Sequence, residues 1–182
     1  MATIAAFTGS VRGNSLNVAL ARAALQAAAD HGADVDYIDL GTYPLPIYHG
    51  TLEELHGPPA TAIALTERLA AADGLFIASP EYNGGPSGLL KNTIDWVTRV
   101  DMVAFQSPRI GLMAATPGSK GGLHSLGITE SIFAWMKCTT HESFSLPQAH
   151  EALIDGEPTP ELSQRLDTWT ASFLSELASP GG

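Results

Sequence analysis

Five short runs of apolar, small or β-branched residues recur along the chain, and a helix-forming segment follows each of them. Thr3 to Thr8 (TIAAFT) ends at Gly9, Gly74 to Ser79 (GLFIAS) ends at a proline, and Arg109 to Thr116 (RIGLMAAT) ends at another. Unbroken apolar runs of this length are the pattern of strands buried on both faces. Asp34 to Leu40 (DVDYIDL) alternates acidic and apolar residues, as a strand nearer a sheet edge does, and Thr139 to Ser145 is a weaker fifth strand. The helical segments are Leu16 to Asp30, ending at His31-Gly32, then Ala60 to Ala72, Leu89 to Val100, Gly121 to Lys137, and Pro160 to Leu177. The last places Leu162, Leu166, Trp169 and Phe173 on one face. Right-handed crossovers turn such an alternation into a parallel sheet covered by helices on both sides, so the sequence predicts one α/β three-layer domain over residues 1–182.

In an open parallel sheet, ligands bind outside the carboxyl ends of the strands, where the strand order reverses. A 2-1-3-4-5 order puts the loops after residues 8, 79 and 116 at that edge. The first, Gly9-Ser10-Val11-Arg12-Gly13-Asn14-Ser15, offers two glycines, hydroxyl and amide side chains and one guanidinium directly before a helix. That is the chemistry of a phosphate cradle, although Ser15 or Asn14 would also serve simply as a helix cap. Gly9 and Gly13 enclose three residues and Asn14 follows, so neither a P-loop nor a GxGxxG dinucleotide loop is present. The second loop, Ser79-Pro80-Glu81-Tyr82-Asn83-Gly84-Gly85-Pro86, combines stiff prolines with permissive glycines, a phenol and an amide. The third, Thr116-Pro117-Gly118-Ser119-Lys120-Gly121-Gly122, is again glycine-rich before a helix. Together they imply a pocket lined largely by backbone, for a ligand with a phosphate and a flat polar ring.

Charge narrows the ligand's setting. Nine Lys and Arg against nineteen Asp and Glu leave a formal charge of −10, which opposes binding to nucleic acid and to anionic membrane surfaces. An anionic group must therefore be held by local devices: helix N-termini, backbone amides and a placed arginine. Cys138 is the only cysteine, so no intrachain disulfide or CxxC pair exists. His49 and His56 form no HxxxH pair, and no metal site is expected. The N-terminal residues lack a basic stretch before their apolar run, and no segment has about 20 consecutive apolar residues, so the expectation is a soluble, cytoplasmic protein.

The motifs Gly9-Ser10-x-Arg12-x-x-Ser15-x-Asn17, Ser79-Pro80-Glu81-Tyr82-Asn83-Gly84, Leu90-Lys91-Asn92-x-x-Asp95-Trp96 and Thr116-Pro117-Gly118-x-x-Gly121-Gly122 resemble those of NAD(P)H-dependent FMN reductases. That group has a flavodoxin-like fold and includes bacterial quinone and chromate reductases. The resemblance implies FMN-binding positions at Ser10, Arg12, Ser15, Leu16 and Asn17 around the phosphate. It implies Pro80, Glu81, Tyr82, Asn83 and Gly84 along the ring edge, and Thr116, Pro117, Gly118, Gly121 and Gly122 on the other side. Gly85-Pro86-Ser87-Gly88 departs from the family's usual Ser-x-Pro-Gly, and His124 stands where an arginine is common.

The same resemblance implies NADPH or NADH as co-substrate, a small-molecule electron acceptor such as a quinone, and a homodimer or homotetramer. With the cofactor carrying the chemistry, no catalytic side chain is required. Glu81 reads more simply as a surface carboxylate than as a base. Arg12, Lys91 and Lys120 are the available partners for a ribose 2′-phosphate. The competing reading is a flavodoxin-like FMN electron carrier without intrinsic NAD(P)H reductase activity.

Overall fold

A computed structural model describes residues 1–179. Five parallel strands, β1 (Thr3–Thr8), β2 (Asp34–Ile38), β3 (Gly74–Ala78), β4 (Arg109–Ala115) and β5 (Phe144–Leu146), form one sheet in the order β2-β1-β3-β4-β5. The register runs Ile4 against both Val35 and Gly74, Leu75 against Ile110, and Met113 against Phe144. Helices α1 (Leu16–Asp30), α2 (Ala60–Ala70), α3 (Gly88–Val100), α4 (Leu123–Trp135) and α5 (Pro160–Ala178) cover it.

The period-2 alternation of each strand divides the core into two layers. Ile4, Phe76 and Met113 point to one face, where Leu20, Ala24 and Ala28 of α1 and Leu166, Trp169 and Phe173 of α5 bury them. Phe7, Leu75, Ile77, Ile110 and Leu112 point to the other, against Leu65 and Leu69 of α2, Ile94 and Val97 of α3 and Phe133 of α4. The middle strands β1, β3 and β4 are buried almost end to end, as their unbroken apolar sequences require.

Three elements differ from the sequence reading. The fifth strand is Phe144–Leu146, later and shorter than Thr139 to Ser145; upstream only an isolated bridge from Thr140 to Ile110 remains. Between them His141 turns inward, its ring 5.3 Å from Trp169 and 5.6 Å from Phe173. Helix α4 starts at Leu123 instead of Gly121, because Gly121 and Gly122 take left-handed φ values of 58° and 79°. The loop after β2, for which no element is read from the sequence, contains the short helix Gly50–His56.

That loop is clamped to α3. Pro46 O accepts from Asn92 Nδ2 at 2.9 Å and from Trp96 Nε1 at 2.7 Å, while Tyr48 N donates to Asn92 Oδ1 at 2.8 Å. Glu53 completes the clamp, accepting from Arg99 Nε at 2.8 and 3.0 Å and from Tyr48 OH at 2.9 Å. These donors, the Arg99 guanidinium first, hold the Glu53 carboxyl below its ordinary range.

Candidate functional site

The carboxyl ends of β1, β3 and β4 are neighbours at one sheet edge, and the loops leaving them converge there. In the first, Gly9 N donates to Ala78 O at 2.9 Å and Thr8 Oγ1 donates to Ser10 O at 2.7 Å, which fixes the exit from β1. Ser10 Oγ accepts from Arg12 N at 3.4 Å, and Ser15 caps α1 by accepting from Val18 N at 3.5 Å. An α-helix leaves its first N–H groups without partners inside the helix. No acidic residue stands in the first turn of α1, so its positive end is not neutralised locally. Arg12 is exposed, with Nε 3.4 Å from Asn14 Oδ1.

The second loop is a tight hairpin: Glu81 pairs with Pro86 and Tyr82 with Gly85, antiparallel. Asn83 and Gly84 occupy the two turn positions with φ values of 53° and 76°. Positive φ at both is the signature of the Asn-Gly hairpin turn, and it explains that pair without reference to any ligand. The sequence 85–88, which departs from the family pattern, continues into α3. Ser87 caps that helix, accepting from Leu90 N at 3.1 Å, and its Oγ donates to Gly9 O at 2.7 Å, binding the second loop to the first.

In the third loop, Thr116 N donates to Leu146 O, Ala149 N to Thr116 O, and Gln148 N to Gly118 O. Gly121 and Gly122 are both buried. A Cβ on Gly121 would lie 2.2 Å from Ser145 Oγ, and one on Gly122 would lie 2.6 Å from Ala114 Cβ. Close packing on β4 and β5 therefore dictates these two glycines.

A cleft of about 190 Å³ lies where the loops meet. It is lined by Ser10, Arg12, Ser15, Leu16 and Asn17 from the first, Pro80, Glu81 and Tyr82 from the second, and Ala115, Thr116 and Pro117 from the third. Of the fifteen positions singled out in the sequence, these include ten. Asn83, Gly118, Gly121 and Gly122 stand outside its lining, and Gly84 faces a different cavity. That larger cavity, about 730 Å³, runs between α3 and α4 past Ile94, Leu123, Ile128 and Trp135. Its walls are mostly apolar, and the one Lys or Arg among its lining residues, Lys91, is already paired with Asp95.

Two further side chains in the cleft are engaged with distant parts of the chain. Asn17, 3% exposed, donates from Nδ2 to Ala115 O at 2.9 Å and accepts at Oδ1 from Ala115 N at 3.0 Å, so its amide fastens α1 to the end of β4. Glu81 Oε2 accepts from the amides of His124 at 3.1 Å and Ser125 at 3.2 Å. The expected surface carboxylate is thus a remote cap on α4. Sequence reading passed over Ala115, Ser87 and Ser125. Ser87 had a visible signal, a serine directly before a helical run, whereas Ala115 and Ser125 matter through long-range contacts that no local pattern shows. Lys91 is paired with Asp95, at 2.7 and 2.9 Å. Among the described residues no group of three or more His, Cys, Asp or Glu is gathered to hold a metal.

Comparison with known proteins gives a consistent relationship. The family profile described as NADPH-dependent FMN reductase matches residues 2–151. An NADPH:quinone oxidoreductase of Arabidopsis thaliana is 35% identical over 121 residues, which is 65% of this chain and 60% of that protein. A quinone reductase of Escherichia coli is 27% identical over 167 residues, 92% of this chain and 86% of that protein. Among solved structures, a flavoenzyme NAD(P)H:(acceptor) oxidoreductase from Paracoccus denitrificans superposes with a TM-score of 0.77 at 25% identity, covering 97% of each chain.

Proposed function

Because the chain belongs to the NADPH-dependent FMN reductase family, we propose that it is an oxidoreductase that holds FMN in the three-loop cleft. There it would pass reducing equivalents from NADPH or NADH to quinone-like or other small acceptors. The observation that carries this reading is the donor set of the cleft: two serine hydroxyls, one guanidinium and the uncompensated N-terminus of α1 on one side, and rigid backbone on the other. Ser10, Arg12, Ser15 and the first-turn amides of Leu16 and Asn17 match a phosphate in a chain that is otherwise strongly acidic. Pro80 to Tyr82 and Thr116-Pro117 form the walls that would flank a flat ring and keep water from it. Tyr82, half exposed, supplies aromatic surface at the rim. FMN when bound supplies the hydride-accepting and electron-donating chemistry. The chain's own work is to bind, orient and desolvate, and the Glu81 carboxylate, turned to the amides of α4, takes no part as a base.

Relatives named as quinone reductases favour an enzyme over a passive electron carrier. Steady-state consumption of NADPH with a quinone tests the choice: the enzyme turns over, and a protein that binds FMN yet oxidises no NADPH or NADH with quinone or added FMN is a carrier.

Assembly as a homodimer is part of the same proposal. Leu123, Ile128 and Trp135, exposed by 57, 46 and 80%, put three large apolar side chains on α4, all lining the cavity shared with α3. Large apolar patches on a soluble surface mark interfaces. A cytoplasmic setting is consistent with a lone cysteine, Cys138, which can form no intrachain disulfide. No described helix is long and apolar enough to cross a membrane.

A further inference from the structure

We propose that Glu81 is a positioning residue whose carboxylate locks the hairpin wall of the cleft to the N-terminus of α4, so that the second and third loops hold a fixed separation. The inference rests on the FMN reading above. Helix α4 begins behind Gly122, which has no side chain to cap it, and carries no acidic residue in its first turn. Its exposed N–H groups are met instead by a carboxylate from another element: Glu81 Oε2 accepts from His124 N at 3.1 Å and Ser125 N at 3.2 Å. Such bonds are charge-assisted, and a negative group at a helix N-terminus gains further from the helix dipole.

Two hydroxyl contacts reinforce the junction. Ser125, fully buried, lies with Oγ 3.4 Å from Pro80 O and 3.3 Å from Ser79 Oγ. Three consecutive residues of the second loop, 79 to 81, are thereby joined to two consecutive residues of α4. From Glu81 the hairpin pairing carries the restraint to Tyr82 and onward to Gly85-Pro86. On the other side α4 continues directly from the loop that holds Thr116 and Pro117. The Glu81 carboxylate, with the Ser125 hydroxyl beside it, thus ties the Pro80–Tyr82 wall to the helix that follows the Thr116-Pro117 wall, and it makes no demand on the flavin's chemistry.

The test uses Glu81→Ala and Glu81→Gln in the full chain, with two readouts: amide hydrogen exchange at residues 122–126 without FMN, and FMN affinity by titration. Glu81→Ala is expected to speed exchange at His124 and Ser125 and to weaken FMN binding, each by about tenfold. Glu81→Gln, which keeps an acceptor oxygen without the charge, is expected to recover affinity to within about threefold of wild type. Faster exchange with unchanged FMN affinity would reduce Glu81 to a helix cap and overturn the proposal, as would unchanged exchange, or a Gln variant as weak as Ala. Should Glu81→Ala fail to fold, Ser125→Ala removes only the hydroxyl contacts. A severalfold loss of FMN affinity then supports the lock, and none overturns it. A wild-type protein that binds no FMN would defeat the cofactor reading instead, while the exchange comparison would still show whether Glu81 caps α4.

Discussion

Asn17 and Arg12 sit five residues apart beside one cleft in opposite surroundings, Asn17 buried and doubly hydrogen-bonded, Arg12 exposed. The family resemblance implies both as phosphate-binding positions. The structure separates them: both ends of the Asn17 amide are bound to Ala115, 98 positions away, and a pairing at that distance leaves no trace in local sequence. Asn17→Ala leaves a buried N–H and C=O without partners and is expected to cost about 2–3 kcal/mol in stability, measured by urea denaturation of the protein without FMN. Arg12→Ala is expected to leave that stability unchanged and to weaken FMN binding by about 1.5–3 kcal/mol, as loss of a charge-assisted hydrogen bond does. An Arg12→Ala protein with wild-type affinity would remove the guanidinium from the site.

At the level of elements, what the sequence shows depends on whether an element has a buried face. Strands β1, β3 and β4 and helices α1 and α5 bury continuous faces, so their periodicity marks them clearly. The helix Gly50–His56 buries no residue and so lacks any such pattern. The Asn83-Gly84 hairpin did carry a legible signal, an Asn-Gly pair between potential strand residues, and the turn chemistry rather than ligand contact accounts for it.

Ser87 joins two elements at once. Ser87→Ala is expected to lose about 1 kcal/mol as a cap on α3 and to loosen the first loop through the lost bond to Gly9 O, seen as faster exchange at residues 9–10. The clamp at Glu53 predicts a pH dependence. Its carboxyl is depressed in the folded protein, mainly by Arg99, so its contribution is present above the ordinary carboxylate value and is lost as pH falls through the folded value. Stability curves of wild type and Glu53→Gln should therefore differ at neutral pH and converge in acid; a constant offset across that range would contradict the clamp.

For the whole molecule, the rule of right-handed crossovers led to a parallel sheet covered on both faces, and the expected 2-1-3-4-5 order is the one the five strands take. Assembly is not legible in the same way, because residues such as Ile128 and Trp135 look alike in sequence whether they face a core or a partner. Their exposure on α4 argues for a second copy. Trp135→Glu is expected to shift a dimer to monomer by light scattering with the fold intact. The acidic surface and the three-loop cleft together define the central claim, that a strongly negative chain binds an anionic flavin by local devices alone. The direct test is an anaerobic absorbance titration of the purified protein, first with FMN and then with NADPH. The account predicts saturable FMN binding at micromolar concentration, followed by bleaching of the flavin bands on adding NADPH or NADH. A protein that leaves FMN free in solution, or binds it and is reduced by neither nucleotide, would contradict it.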